Sequence, residues 1–357
     1  MPTQAGLFTP LRLGALDLPH RVVMAPMTRN RSPGNLANAL NATYYAQRAA
    51  AALIITEGTA PDAMGRGYID IPGLYDAAQV AAWRQVTDAV HARGGLIAVQ
   101  LMHVGRISHP DFLEGATPVA PSAVAAAGAI HTWTGPKPHP VPRALDAAEI
   151  PGVIATYARA ARLAREAGFD AVEIHGANGY LPNQFLAPNA NLRRDAWGGS
   201  VEKRARFLLA ATDAAIAEIG AGRVGVRLSP GSGFNDIADP EAEATYAHVI
   251  SALDRRELAW LHVVDARPGF DVPALVAQHY RGAVMLNGGY DGARAEADIA
   301  AGRAALVSFG TPFISNPDLP VRLRSGAPLA AADRGTFYGG DARGYVDYPL
   351  LDPVLAA

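Results

Sequence analysis

Ten residues, Ala171–Tyr180 (AVEIHGANGY), carry the densest chemical signal in this chain. An apolar alternating run stops at His175, and Asn178 and Tyr180 follow almost at once. An imidazole and a carboxamide are two neutral hydrogen-bond donors, suited to gripping a carbonyl oxygen. A phenol beside them can protonate the neighbouring carbon. The competing reading is structural: a buried histidine bonded to a carbonyl, an asparagine in the turn before Gly179 and a tyrosine on a rim. Polar residues placed in the same way elsewhere in the chain favour the chemical reading.

Short β-branched runs alternate with segments of helical spacing. The candidate strands are Val22–Ala25, Leu53–Thr56, Leu96–Leu101, Ala171–Ile174, Val224–Leu228, Trp260–Val264, Ala283–Leu286 and Ala305–Phe309. Helices are expected at Ala42–Ala51, Ala77–Ala92, Ala147–Ala167, Val201–Ile219, Glu241–Leu253, Pro273–Tyr280, Ala293–Ala300 and Pro317–Leu323, with Asp146 and Ser200 as N-caps. Strands apolar on both faces belong to a parallel sheet. Eight such alternations predict a single (β/α)8 TIM barrel, residues 1–357 forming one domain. An open doubly wound sheet would show a glycine fingerprint after its first strand, and none is present. Residues 103–144, with seven prolines and no long helical period, read as a lid-like insertion over the barrel mouth.

Catalytic groups in such barrels come from the C-terminal strand ends. These ends hold Pro26-Met27-Thr28, Glu57-Gly58, Gln100 with His103, His175, Arg227, Asn287-Gly288-Gly289 and Gly310-Thr311. An arginine at the end of a buried strand needs an anion or a carboxylate partner, for which Glu57 and Glu173 are candidates. The glycines leave backbone N–H groups bare, as a phosphate site requires. Together these residues describe a site for a phosphate-bearing ligand with a polar ring. Metal chemistry is the rival class, since His103, His109, His131, His139 and His175 could ligate zinc. No HxH or HExxH spacing supports it, and no GxSxG elbow supports a serine hydrolase.

Composition narrows the field further. The chain has 357 residues, half of them hydrophobic and 18% charged, so it can bury a large core. A formal charge of −2 makes no case for nucleic acid or an anionic membrane as partner. The absence of cysteine removes disulfides and thiolate chemistry. The N-terminus lacks a secretory pattern and no apolar run is long enough to span a bilayer, so a cytoplasmic protein is expected.

Ten segments run through the chain in order: LFTPLRLG (Leu7–Gly14), MAPMTRNR (Met24–Arg31), YYAQRAAAALIITEGT (Tyr44–Thr59), QLMHVGRISHP (Gln100–Pro110), EIHGANGYLPNQFL (Glu173–Leu186), WGGSVEKRARFL (Trp197–Leu208), VGVRLSP (Val224–Pro230), NGGY (Asn287–Tyr290), FGTPFISNPDL (Phe309–Leu319) and GYVDYP (Gly344–Pro349). In these segments the chain resembles the old yellow enzymes, FMN-dependent ene-reductases, and within them the classical bacterial branch. The resemblance implies non-covalent FMN, reduced by NADPH or NADH, that passes hydride to the β-carbon of an α,β-unsaturated carbonyl or a nitroalkene. His175 and Asn178 then hold the activating oxygen and Tyr180 protonates the α-carbon. The implied flavin contacts are Ala25, Pro26, Met27, Thr28, Gly58, Gln100, His175, Arg227, Asn287, Gly288, Gly289, Gly310 and Thr311. The implied substrate contacts are Thr28, Tyr68, Met102, His175, Asn178 and Tyr345, with no metal. A monomer or homodimer is expected.

Two departures stand out. Thr311 replaces the family's phosphate-pairing arginine, so weaker FMN retention is expected unless another arginine, such as Arg303, compensates. Met102 stands where many relatives have tryptophan, and a roomier pocket is expected. The alternatives are reduction of nitro groups or nitrate esters at the same flavin, a metal-dependent barrel hydrolase or lyase, and a silent FMN-binding protein.

Overall fold

The computed structural model describes residues 5–266 and 269–351. The apolar runs close into one parallel barrel of β1 (Val22–Met24), β2 (Leu53–Thr59), β3 (Ile97–Leu101), β4 (Ala171–His175), β5 (Val224–Leu228), β6 (Trp260–Val264), β7 (Val284–Asn287) and β8 (Leu306–Phe309). They follow one another in chain order, and β8 pairs back onto β1. The covering helices are α1 (Ala39–Gln47), α2 (Ala77–His91), α3 (Ile150–Glu166), α4 (Val201–Ile219), α5 (Ala242–Asp254), α6 (Val272–His279), α7 (Gly292–Ala300) and α8 (Leu319–Ser325). The (β/α)8 barrel expected from the alternation is therefore the fold. Among the described residues, no helix is long and apolar enough to cross a membrane.

Three local details differ from expectation. β2 runs on through Thr59 because its register shifts between Ile55 and Gly58. The Thr56 hydroxyl fills the break, accepting from the Gln100 N–H at 3.2 Å and donating to the Glu57 carbonyl at 3.0 Å. α1 starts and ends early: Asn38 caps it with a capping box, and the Arg48 guanidinium beyond its end turns to the carbonyls of Phe313 and Ile314. Asp146 is not the cap of α3, which begins after Glu149. The Glu149 carboxylate instead accepts the Asp146 N–H at 2.7 Å. Ser200 does precede α4, without bonding its amides through the side chain.

The two barrel ends are built differently. At the N-terminal end a hairpin, Leu11–Leu13 with Leu16–Leu18, packs its leucines onto Val23, Leu53, Ala98, Trp260 and Met285. Its turn residue Gly14 has φ +56, and a Cβ there would lie 2.3 Å from the Gly222 carbonyl oxygen, so only glycine fits. At the other end the 103–144 excursion is built structure. Val119–Ala120 pairs with Arg143–Ala144, and Ala129–Thr132 forms a hairpin with Gly135–Pro138. Phe112, Leu113 and Ile130 pack together beside Met64, Tyr68 and Ile69.

The C-terminal segment is strapped to the barrel by two buried arginines. Arg29 donates to the Phe337 and Gly344 carbonyls at 2.9 Å, and Arg31 to those of Thr336 and Asp341 at 3.0 Å. The Gly339 N–H returns a bond to the Arg29 carbonyl at 3.0 Å.

Candidate active site

The end of β4 sets the site. His175 is buried, and its Nδ1 accepts the Ala177 N–H at 3.3 Å. A backbone amide only donates, so Nδ1 carries no proton and the neutral ring has its hydrogen on Nε2. Burial and the nearby Arg227 charge push the His175 pKa down to about 3, so the ring stays neutral at ordinary pH. Asn178 follows in the left-handed region, with φ 57. Its N–H donates to Ser229 Oγ at 2.9 Å and its carbonyl accepts from Asn235 Nδ2 at 2.8 Å. Those two bonds fix the backbone, and the Asn178 carboxamide has no protein partner among the described residues.

Tyr180 stands edge-on to His175, with ring centroids 4.8 Å apart. Its hydroxyl lies 3.0 Å from that of Tyr68. Burial, with Tyr68 alongside, pushes the Tyr180 phenol well above its ordinary range, which keeps its proton in place. Both tyrosines line a cavity of about 560 Å³ together with Thr28, Ile130, Phe234 and Tyr338. His175 and Asn178 are not among its lining residues, and neither is Met102. That side chain is 2% exposed and packs in one cluster with Tyr180, Ile71 and Ile107, against which Tyr68 rests. It also presses on Gly58, where a Cβ would fall 2.4 Å from the Met102 sulfur.

Gln100, Arg227 and Asn287 meet on the barrel floor. Gln100 Nε2 donates to Glu173 Oε1 at 2.8 Å, and Arg227 Nη2 to Asn287 Oδ1 at 3.2 Å. Arg227 forms no direct ion pair with Glu57 or Glu173. The Glu57 carboxylate is taken by the Arg29 N–H and the Tyr45 hydroxyl, and burial raises its pKa to about 7. The Arg227 Nε is buried without a partner among the described residues. An unmet charged donor costs upwards of about 1–3 kcal/mol, so it calls for an acceptor at the strand ends.

Beyond β7, Gly288 (φ 136) and Gly289 (φ 65) form a turn that bars side chains, since a Cβ on Gly288 would lie 2.7 Å from the Asp265 carbonyl oxygen. Gly310 and the exposed Thr311 follow β8, with Met27 beside Gly310, while Ala25 donates its N–H to the Phe309 carbonyl at 3.0 Å. These features fit a planar hydrogen-bonding ring with a phosphate at the glycine end.

Two further expectations are corrected. Tyr345 is not a pocket wall: it is 0% exposed, stacked on Tyr44 at 4.0 Å, and its hydroxyl accepts from Asn41 Nδ2 at 3.0 Å. The wall residue from the same segment is Tyr338, held there by the Arg29 and Arg31 strapping. Arg303 is not near the glycine cradle. It precedes β8, at the opposite end of the barrel from Gly310, and pairs with Asp298 at 2.5 Å. The arginine against the cradle is Arg294, whose Nη1 donates to the Gly288 carbonyl at 3.0 Å while its guanidinium lies over the Tyr290 ring and 3.4 Å from Asp265.

Sequence reasoning missed Tyr338, Phe234 and the hairpin residues of the rim, which carry no motif. It also missed Trp260, His262 and Ser308 as floor residues. Their signal was present as polar or bulky side chains at inward positions of otherwise apolar strands.

A barrel with a polar floor, an unmet arginine donor and a glycine cradle defines a site for a phosphorylated, ring-bearing cofactor. Comparison with known proteins says which. The family model described as the NADH:flavin oxidoreductase / NADH oxidase family matches residues 6–330. A chanoclavine-I aldehyde reductase of Penicillium roqueforti is 45% identical, the match covering 96% of this chain and 95% of that protein. A 12-oxophytodienoate reductase of Oryza sativa subsp. japonica is 41% identical over 98% of this chain and 94% of its own. The solved structure of morphinone reductase superposes with a TM-score of 0.95 at 46% identity, covering 99% and 98% of the two chains. An old yellow enzyme homologue from Zymomonas mobilis gives 0.95 at 41%, covering 97% and 100%. The chain belongs to the NADH:flavin oxidoreductase family, the old yellow enzymes, and is an FMN-dependent, NAD(P)H-driven oxidoreductase.

Proposed function

We propose that this flavin-dependent ene-reductase acts on α,β-unsaturated carbonyls and nitroalkenes, with His175 and Asn178 holding the activating oxygen and Tyr180 supplying the proton. Bound FMN would supply hydride chemistry between the nicotinamide and the β-carbon of the alkene. The observation that carries the reading is the state of His175. Because Nδ1 is occupied by the Ala177 amide, the neutral ring offers Nε2–H as a fixed donor. Preorganised donors aimed at developing oxygen charge are worth about 10²–10³ in rate each.

The other residues divide between cofactor and cover. Arg227, Gln100 and Asn287 hold the pyrimidine edge, Thr28 the carbonyl edge beside it, and Ala25–Met27 and Gly58 the ring. Gly288, Gly289, Gly310 and Thr311 receive the phosphate, with Arg294 supplying positive charge from behind Gly288. Tyr68 orients the Tyr180 hydroxyl, and the 103–144 excursion with Tyr338 covers the substrate.

The test is anaerobic. The purified yellow protein is reduced with NADPH or NADH and then mixed with cyclohexenone, a nitroalkene or a nitrate ester. Rapid reoxidation by the enone or nitroalkene with a saturated product supports the proposal. Reoxidation by the nitrate ester alone rejects it.

A further inference from the structure

Glu173 is a buried charge that the reaction described above does not use. It lies on β4, one inward position before His175, and receives three donors: Gln100 Nε2, Trp260 Nε1 and His262 Nδ1, each at 2.8 Å. The indole reaches it only because its neighbour on β5 is Gly225, where a Cβ would fall 2.0 Å from the Trp260 ring. The path continues from His262 Nε2 to Ser308 Oγ at 2.8 Å, then to Asn287 Nδ2 at 2.9 Å, and Asn287 Oδ1 accepts from Arg227 at 3.2 Å.

With the His262 ring neutral, the hydrogens on this path run in one direction. The Asn287 carboxamide accepts from Arg227 with its oxygen, so its nitrogen donates to Ser308. Ser308 then gives its own proton to His262 Nε2, and the neutral ring gives Nδ1–H to Glu173. Burial holds His262 below the ordinary imidazole range, in keeping with a neutral ring. Burial alone would raise the Glu173 pKa, but the hydrogen bonds from His262 and Trp260 and the nearby Arg227 charge hold it below the ordinary carboxylate range. The path therefore joins one fixed negative charge, Glu173, to one fixed positive charge, Arg227, through neutral groups.

We propose that Glu173 is a positioning residue for the flavin: it orders Asn287 and Arg227 through His262 and Ser308, and its charge offsets part of the field Arg227 exerts on the pyrimidine edge, holding the midpoint potential down. The inference rests on the assignment of Gln100, Arg227 and Asn287 to that edge. Reduced flavin carries more negative charge there, so removing a nearby negative charge favours it. In a water-excluded interior such interactions are weakly screened.

The test is the two-electron midpoint potential of FMN in the purified holoenzyme and in two variants. Glu173→Gln keeps the shape and loses the charge. The new amide can accept from Trp260 and His262 and donate to Gln100 once the Gln100 carboxamide turns over. A potential raised by tenfold or more in favour of reduced flavin, about 30 mV for a two-electron couple, is expected. Reduction by the nicotinamide should then be faster and reoxidation by the enone slower. Trp260→Phe keeps the charge with one donor fewer, and the potential should fall. It also serves if Glu173→Gln does not fold. FMN retained in a variant with an unchanged potential, or with a shift opposite to the one given, overturns the inference alone. A wild-type protein purified without FMN that also fails to take it up overturns the flavin assignment beneath it.

Discussion

The floor and the roof of the site are built in opposite ways. Floor side chains come from strands in fixed register and are almost wholly buried. They hydrogen-bond one another, from Gln100 through Glu173 and His262 to Arg227, with the Arg227 Nε left unmet among the described residues. The roof comes from loops distant in sequence: Tyr68, the Ala129–Thr132 hairpin strand, Phe234 and Tyr338. Phe234 and Tyr338 are 58% and 68% exposed. Interlocked buried networks tolerate little change and couple strongly, whereas exposed loop residues are usually replaceable at small cost. Chemistry should therefore be sensitive at the strand ends and forgiving at the rim.

The largest effect expected is at the junction of the two regions. Tyr180→Phe should slow reoxidation by an enone by about 10²–10⁴-fold, while stopped-flow reduction by the nicotinamide changes little. Equal slowing of both half-reactions would remove the proton-donor role. His175→Ala should cost the same reoxidation step about 10²–10³-fold, and the loss should not vary between pH 5 and 8 because the native ring is neutral throughout.

At the cradle, Arg294→Ala should speed FMN dissociation by roughly tenfold or less, the range of one partly exposed charge contact. Thr311→Arg should slow it. Flavin fluorescence on dilution reads both, and unchanged rates would mean that backbone amides alone hold the phosphate.

The buried histidines also predict an acid limit. Burial lowers the pKa of His20, His103 and His262, and takes His175 to about 3. The unfolded chain takes up protons at these residues near pH 6.5 and the native state does not, so acid favours unfolding. Glu57, raised to about 7, acts the other way between pH 7 and its unfolded value, as does Asp70, but these two are outnumbered by the lowered histidines, His139 included. The melting temperature should fall as pH drops from 6.5 to 4.5. A flat profile would show that these histidines open to solvent.

The smallest effect belongs to the rim. Tyr338→Ala should alter KM for bulky substrates by a few-fold and leave the melting temperature within about 1 °C, as expected of an exposed side chain. A loss as large as that of His175→Ala would break the contrast between floor and roof.

Much of the scaffold was legible because strand and helix periods are local. All eight barrel strands were marked by apolar β-branched runs, and the β4 end was marked by an abrupt change from apolar to polar residues. Element ends were less legible where a side chain acted at a distance, as with Arg48 beyond α1 and Glu149 before α3. Tyr338 and Tyr345 in the C-terminal segment look alike in sequence. Only the Arg29 and Arg31 strapping buries one and turns the other to the cavity. Arg303 is close to β8 in sequence, but it lies at the end of that strand away from Gly310.

From residue order alone came the alternation that demands a closed parallel barrel, the placement of His175, Arg227 and the glycine pairs at strand ends, and the absence of thiol chemistry. These depend on period, residue type and neighbours in the chain. Barrel closure decided the rest: which inward groups meet, that Glu173 answers Arg227 through His262, Ser308 and Asn287, and which loops reach the mouth. Those contacts join residues up to 89 positions apart on the floor, and more than 300 apart where the C-terminal strap meets Arg29. No local pattern encodes such distances, because only packing brings the partners together.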